Sequence, residues 1–398
     1  METAITSIPA RMNMPAALWA LTISAFGIGT TEFVIVGLLP TIADDLRVSI
    51  PAAGLLVSFY AIGVAIGAPV LTALTSHIPR RRLLIGLMLL FVAGNTAAAL
   101  SPGYLTLSIA RVITGFAHGV FFATGATIAA ALVTPDRRAS AIALMFAGLT
   151  IAMVTGVPAG TIIGQHFGWR ATFTTVAILG MAGLLANILL LPHHIKNEAA
   201  ASIREQVQVL RNRQLLVALL TTILNYSGVF LIFTYLAPLL TTLTGIAPAW
   251  VSAILLIYGV AVAIGNIIGG MAANRNPLTS LRVMLVLQAA ALFLFTFTVH
   301  YTIPAIITLF IIGGLSFATV PASQFFVVQT AERCAPATVN VASALNIASF
   351  NAGAATGAYA GSLIVASAWG LGATPWAGGL FLLLAAAATI WSAHLLKK

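Results

Sequence analysis

Acid is scarce in this chain. Only eight of its 398 residues are Asp or Glu, and 7% are charged at all. A soluble globular protein carries about 25% charged residues, so a soluble enzyme core of this length is excluded. There is one cysteine, Cys334, which excludes a disulfide framework and a thiolate metal site. No glycine-rich loop is followed by the Lys-Ser/Thr that a phosphate site requires, so the chain carries no nucleotide-driven pump of its own. Nothing resembles a cleavable signal, because the first apolar run is too long for one. What is present is 60% hydrophobic residues and a net charge of +10. The basic residues form no stripe interleaved with aromatics, which argues against nucleic acid as a partner.

A membrane-crossing helix needs about 20 mostly apolar residues. Twelve such runs are present, at 15–40, 51–75, 83–100, 104–133, 138–164 and 171–192, then 215–241, 249–273, 281–300, 303–330, 337–365 and 374–396. The expected fold is therefore an all-α polytopic membrane protein of twelve spans. The polar stretch His193 to Gln214 divides them into six-helix halves, 1–192 and 215–398, and reads as a linker with an amphipathic helix at the membrane surface. Alternate loops hold fifteen Lys and Arg against two, Arg47 and Arg170, which predicts both termini on the cytoplasmic side. The halves repeat. Tyr60 to Gly67 matches Tyr258 to Gly265 at an offset of 198, and Gly156 to Ile163 matches Gly357 to Ile364 at 201. Six spans per half make the repeats parallel, the plan of transporters built around a central cavity. Glycines four apart (Gly63/Gly67, Gly156/Gly160/Gly164, Gly265/Gly269, Gly353/Gly357/Gly361) put small residues on one helix face. They read as ordinary helix packing and as a seam along which the halves rock.

Among the acids only Glu32 lies inside an apolar run. An ionisable group at that depth is costly, so it marks a functional site with a partner, or else a carboxyl that only holds helices together. Its position eight residues before Pro40 puts it roughly 12 Å from the outer end of the first span. Arg111, the one strong base inside a run, lies roughly 10 Å below the same surface on the fourth. A charge pair is the cheapest account of both. His118 follows Arg111 by two turns on nearly the same face and reads as a proton relay, a substrate hydrogen-bonder, or a histidine satisfied by a neighbouring helix.

Several motifs resemble those of the major facilitator superfamily, and within it the twelve-span drug:proton antiporters. Thr31 to Pro40 is similar to the first-helix motif, and is nearest to the bacterial arabinose- and sugar-efflux subgroup. Pro79-Arg80-Arg81-Arg82, after Gly67, resembles the basic loop between helices two and three. Arg111 to Gly115 resembles the fourth-helix motif. Gly148 with Gly156-Val157-Pro158-Ala159-Gly160 resembles the fifth-helix antiporter motif, and Gly168-Trp169-Arg170 follows it as in the family. Ser76 and Pro79 stand where the loop motif usually has Asp and Gly, which leaves Arg80 to Arg82 as topology determinants. The resemblance implies a cavity between the halves lined by helices one and four. It implies a proton-coupled exporter of a small organic, drug-like or sugar-like solute working by alternating access, monomeric in the bacterial inner membrane, without cofactor or metal.

On this reading Glu32, Arg111 and His118 handle the proton. A carboxyl poised between burial and a nearby cation can take up a proton on one side and release it on the other. Gly67, Arg80, Arg81, Gly156, Pro158 and Gly160 belong to the conformational motifs. The second half has no intramembrane acid, so it contributes hydrogen bonds and aromatic walls. Its candidates for the substrate cavity are Asn225, Tyr226, Tyr235, Gln324 and Asn346, joined by Phe33 and Phe122 from the first half. Asn346 and Asn351 read equally as glue between helices, and the phenylalanines as lipid-facing. An uptake symporter or facilitator on the same fold is the alternative. A polytopic membrane enzyme would need a nucleophile–base or metal constellation, and the His193-His194 pair has no carboxylate near it.

Overall fold

The computed structural model describes residues 15–134, 137–193 and 203–395. Residues 1–14, 135–136, 194–202 and 396–398 lie outside them, and with these Arg11, Asp136, His194, Lys196, Lys397 and Lys398 and the first part of the expected linker. Among the described residues all regular structure is helical. The twelve runs become twelve long helices. Ala16–Phe33 and Ile35–Asp45 form α1, bent by 48° at Val34. Then come α2 (Ile50–Leu74), α3 (Arg80–Ala99), α4 (Tyr104–Ala131), α5 (Ser140–Phe167) and α6 (Trp169–Leu190). The second set is α7 (Arg213–Phe233), α8 (Pro248–Arg275), α9 (Pro277–Thr298), α10 (Thr302–Cys334), α11 (Val339–Ala366) and α12 (Leu371–Ala393). Ten of these are single helices apolar and long enough to cross a membrane, and the bent α1 makes eleven. The remaining helix, α11, has 28 residues and is long enough, but Asn340, Ser343, Asn346, Ser349 and Asn351 make it too polar for that class. It survives at that depth by burying its polar face against other helices rather than lipid.

The first six helices pack mainly among themselves, as do the last six. The sets meet where α2 lies along α11, where α5 meets α8, and where the second segment of α1 touches the end of α7. The spaced glycines are not at these meetings. A Cβ on Gly63 or Gly67 would strike the α4 backbone at Val112 or Phe116, and one on Gly156 or Gly160 would strike Thr30 or Val34 of α1. Gly265 and Gly269 face Gly314 and Ala318 of α10, and Gly353 and Gly357 face Ile223 and Ser227 of α7. These contacts are all within one half, so the expected rocking seam lies elsewhere. A glycine that does cross is Gly259 of α8, where a Cβ would come within 2.6 Å of the Met153 carbonyl of α5.

Met153 belongs to a π-helical turn, Ala152–Gly156, and α2 has another at Gly67–Leu71. Proline explains both. Pro158 and Pro69 lack the N–H that the preceding turn needs, and the ladder slips by one residue, so that Val157 N–H reaches Ala152 O and Thr72 N–H reaches Gly67 O. The short helix Ile203–Arg211 of the linker lies against the second turn, with Gln206 Nε2 donating to Pro69 O at 3.0 Å.

Charged side chains tie the helix ends. At one end Arg170 pairs with Asp45 and stacks on Trp169, whose Nε1 also donates to Asp45 at 2.9 Å. At the other, Arg81 Nη2 donates to Ile188 O (2.7 Å) and Nε to Leu191 O (3.2 Å), closing the exposed carbonyls of α6. Arg282 likewise reaches α12, its Nε donating to the Thr389 hydroxyl at 3.1 Å and its Nη2 to Thr389 O at 3.3 Å. Both members of the second clamp lie 201 positions beyond the first, the offset already seen in the repeat. Arg81 is therefore a helix cap as well as a topology signal, and Arg80 is buried beside it. Replacing Gly265 by Leu drives a side chain into the Gly314 backbone, and overpacking of this kind costs about 1–3 kcal/mol or more. Gly270→Leu, one residue beyond Gly269 and facing open space, should leave thermal unfolding of the purified protein unchanged while Gly265→Leu lowers its midpoint.

Candidate functional site

The site starts from the bend in α1. Thr31 and Glu32 are its last residues before the bend but one, and both are buried. The Thr31 carbonyl accepts from Arg111 Nη1 at 2.8 Å, and its hydroxyl donates to Asn95 of α3 at 2.6 Å. Arg111 Nε reaches Leu56 O of α2 at 3.4 Å, and the guanidinium lies 4.1 Å from the centre of the Tyr60 ring. Arg111 thus binds α1, α2 and α4 together, with its whole side chain out of solvent.

The expected Glu32–Arg111 ion pair does not form; no contact within 4 Å joins them. The reason is local. Arg111 is held by the Thr31 and Leu56 carbonyls through Nη1 and Nε, its Nη2 has no hydrogen-bond partner, and adjacent helix residues such as Thr31 and Glu32 do not point the same way. The carboxylate instead faces His118, with Oε2 at 3.8 Å from Nδ1. That same Nδ1 is 2.9 Å from the Tyr60 hydroxyl, and Phe122 lies 4.8 Å from the imidazole, ring to ring. The sequence therefore runs Glu32, His118, Tyr60, Arg111 in space: an acid, an imidazole, a phenol and a fixed cation, drawn from α1, α2 and α4. Tyr60 was legible as a repeat marker but not as a site residue. Its partner in the repeat, Tyr258, has no arginine over it and stacks on Phe233 instead.

Glu32 and His118 open onto a cavity of about 130 Å³ between the two sets of helices. Phe122, Phe146 and Leu149 complete the first-half wall. The facing wall holds Thr222, Tyr226, Ser323, Gln324, Asn346 and Asn351 among Phe317, Val320, Ile347 and Phe350. A hydrogen-bonded chain runs along it, from the Thr222 hydroxyl to Asn346 Oδ1 (2.6 Å), from Asn346 Nδ2 to Gln324 Oε1 (2.7 Å), and from Gln324 Nε2 to Ser343 Oγ (2.6 Å). Of the candidates for the cavity, Phe122, Tyr226, Gln324 and Asn346 line it. Phe33, Asn225 and Tyr235 do not. Phe33 packs edge-on to Phe233 and Phe317, Asn225 gives its amide to Thr319 (2.8 Å), and Tyr235 gives its hydroxyl to Ala358 O (3.2 Å). Thr222, Ser323 and Asn351 carried no sequence signal beyond being polar in an apolar run. A larger cleft of about 460 Å³ opens between α2, α7, α11 and the linker helix, but its walls are leucine, isoleucine, alanine and one proline with a single serine, and it holds no group that could bind a proton. Among the described residues no three His, Cys, Asp or Glu side chains are grouped to hold a metal.

The sequence profile of the Major Facilitator Superfamily matches residues 21–340. The chain belongs to that superfamily. It is 49% identical over 388 residues, 98% of each chain, to the "Uncharacterized MFS-type transporter YtbD" of Bacillus subtilis. It is 41% identical to the "Inner membrane transport protein YdhP" of Escherichia coli, over 94% of this chain and 95% of the other. It is 32% identical to the "Chloramphenicol resistance protein" of Streptomyces lividans, with the same coverage. The protein is thus a multi-pass membrane protein of a transporter family whose members bind small molecules.

Within this superfamily member the guanidinium of Arg111 is a geometric part. Lysine keeps the charge but cannot hold two carbonyls and stack on Tyr60 at once. Arg111→Lys should therefore lower the thermal midpoint, since each buried carbonyl left unpaired costs about 1–3 kcal/mol. A lysine variant as stable as the parent would show that the fork-shaped donor set is idle.

Proposed function

We propose that the protein is a proton-coupled antiporter that exports a small organic solute across the bacterial inner membrane by alternating access, with both termini cytoplasmic and the monomer as the working unit. The observation that carries this reading is the place of Glu32: an intramembrane acid in the wall of the cavity between the halves, 3.8 Å from an imidazole. A carboxyl there meets both substrate and proton. It binds one or the other, which is what exchange requires. His118 and Tyr60 extend the path from the cavity into the first half. Arg111 is held in place by the Thr31 and Leu56 carbonyls and does not consume the carboxylate in a salt bridge. The direction of transport is supported by the fifth-helix motif and by the relative named for chloramphenicol resistance. The orientation is supported by the basic residues at the end that carries Arg81 and the linker helix, against Arg47 and a paired Arg170 at the other.

Reconstituted vesicles test the reading. A pH gradient, acidic on the side to which solute is moved, should drive export in the parent. Glu32→Gln should lower the gradient-driven rate tenfold or more while the protein still inserts and unfolds at the same temperature. Full gradient-driven export by that variant would remove Glu32 from the mechanism. Accumulation in the same direction as the proton flow would make the protein a symporter instead.

A further inference from the structure

The cavity wall built by the second half contains two polar atoms with nothing to bind. Ser323 Oγ and Asn351 Oδ1 are both fully enclosed and have no hydrogen-bond partner, although their residues are 1% and 3% exposed and line the cavity. Their neighbours differ. Gln324, Asn346 and Thr222 satisfy one another in the chain described above. Asn351 uses its amide N–H on Ile347 O of its own helix (3.1 Å), which leaves its oxygen as an open acceptor. The Ser323 hydroxyl is open both as donor and as acceptor. Ten buried side-chain polar atoms lack a partner among the described residues, and these are the two whose residues line the cavity, where a ligand would complete them.

The rest of the cavity limits what that ligand is. No Lys or Arg lines it, and Glu32 does, so an anionic ligand would enter without a counter-charge and opposite an acid. The side walls are rings: Phe122 stands 5.0 Å from Phe146 on one side, and Phe350 stands 4.0 Å from Tyr226 on the other. Such walls bury an apolar body and cannot satisfy a sugar, which presents hydroxyls in every direction. The volume of about 130 Å³ is close to that of cavities of roughly 150 Å³ that accept a single benzene.

We propose that Ser323 and Asn351 form a recognition subsite for an uncharged one-ring aromatic compound bearing a primary amide or hydroxyl group. The ligand's N–H or O–H is donated to Asn351 Oδ1, its oxygen accepts from the Ser323 hydroxyl, and its ring lies between the Phe122/Phe146 and Phe350/Tyr226 walls. The inference rests on the reading of this cavity as the substrate site, and it adds the chemical class and the two residues that select it.

The test is equilibrium binding to the full chain in lipid nanodiscs without any gradient, with benzamide as the probe and toluene, benzoate and inositol as comparators. Benzamide should bind saturably, benzoate and inositol at least tenfold more weakly. Ser323→Ala and Asn351→Leu should each weaken benzamide about tenfold and leave toluene unchanged; Asn351→Ser serves where the leucine variant fails to fold. Equal benzamide affinity in the parent and the folded variants overturns the proposal, as does tighter binding of benzoate or inositol, or no saturable binding of benzamide. Because the measurement uses no proton gradient, a failure of proton coupling in vesicles leaves the subsite standing, and a failure here leaves the role of Glu32 to the transport assay.

Discussion

The contact between Arg111 and the Thr31 carbonyl sets the rest of the centre. In hydrocarbon a bare carbonyl and a bare guanidinium are both costly, and each removes the other's cost. The bond also fixes the geometry. It holds the end of the first α1 segment against α4 next to the 48° bend, and the second segment then leaves toward the end of α7. With Thr31 turned to Arg111, Glu32 is turned away from it, into the space between the halves. Had Arg111 been consumed in a salt bridge with Glu32, the carboxylate would be locked and the carbonyl orphaned. The structure separates the two tasks: backbone carbonyls take Nη1 and Nε of the cation while Nη2 keeps no partner, and the acid keeps an open face.

The repeat shows which parts of the molecule tolerate divergence. At the end where the linker lies, the two halves retain a matching contact, with Arg81 on the last carbonyls of α6 and Arg282 on Thr389 of α12. In the centre the halves part. Tyr60 and Tyr258 occupy matching places, yet one carries Arg111 and His118 and the other sits among phenylalanines. The first half thus concentrates the titratable groups, and the second supplies neutral amides and hydroxyls. A cavity between them has a chemically distinct wall on each side.

Much of this was legible in the sequence. The helix count, the two sets of six and the family followed from apolar runs, loop charge and motifs, because a membrane imposes length and composition directly. Glu32, Arg111 and His118 stood out because a polar group is rare at that depth. Their mutual arrangement did not follow. Spacing along a helix gives depth and face but not the rotation of one helix against another, and that rotation decides whether Arg111 meets a carboxylate or a carbonyl. The second-half residues were harder still. Asn225, Asn346 and Asn351 look alike in sequence, yet Asn346 joins the chain to Gln324, while Asn225 and Asn351 each give the amide N–H to one partner and keep an open oxygen, and of these two only Asn351 lines the cavity.

The glycines carry the last step. Their four-residue spacing announces close helix packing, and the structure uses it inside each half, where α2 meets α4, α5 meets α1, α8 meets α10 and α11 meets α7. Backbones that touch without side chains between them have little room to slide, so each half is stiffened by the motif that seemed to mark a moving joint. Between the halves the contacts include a serine hydroxyl on a carbonyl, Ser58 to Ala355 at 3.0 Å, and Gly259 against the π-helical turn around Met153. That π-helical turn is pinned in place by Pro158, and turns of this kind recur at functional sites. Close glycine packing thus lies mainly within each set of six helices, while Gly54 against Tyr235 and Gly259 against Met153 carry it across between the sets.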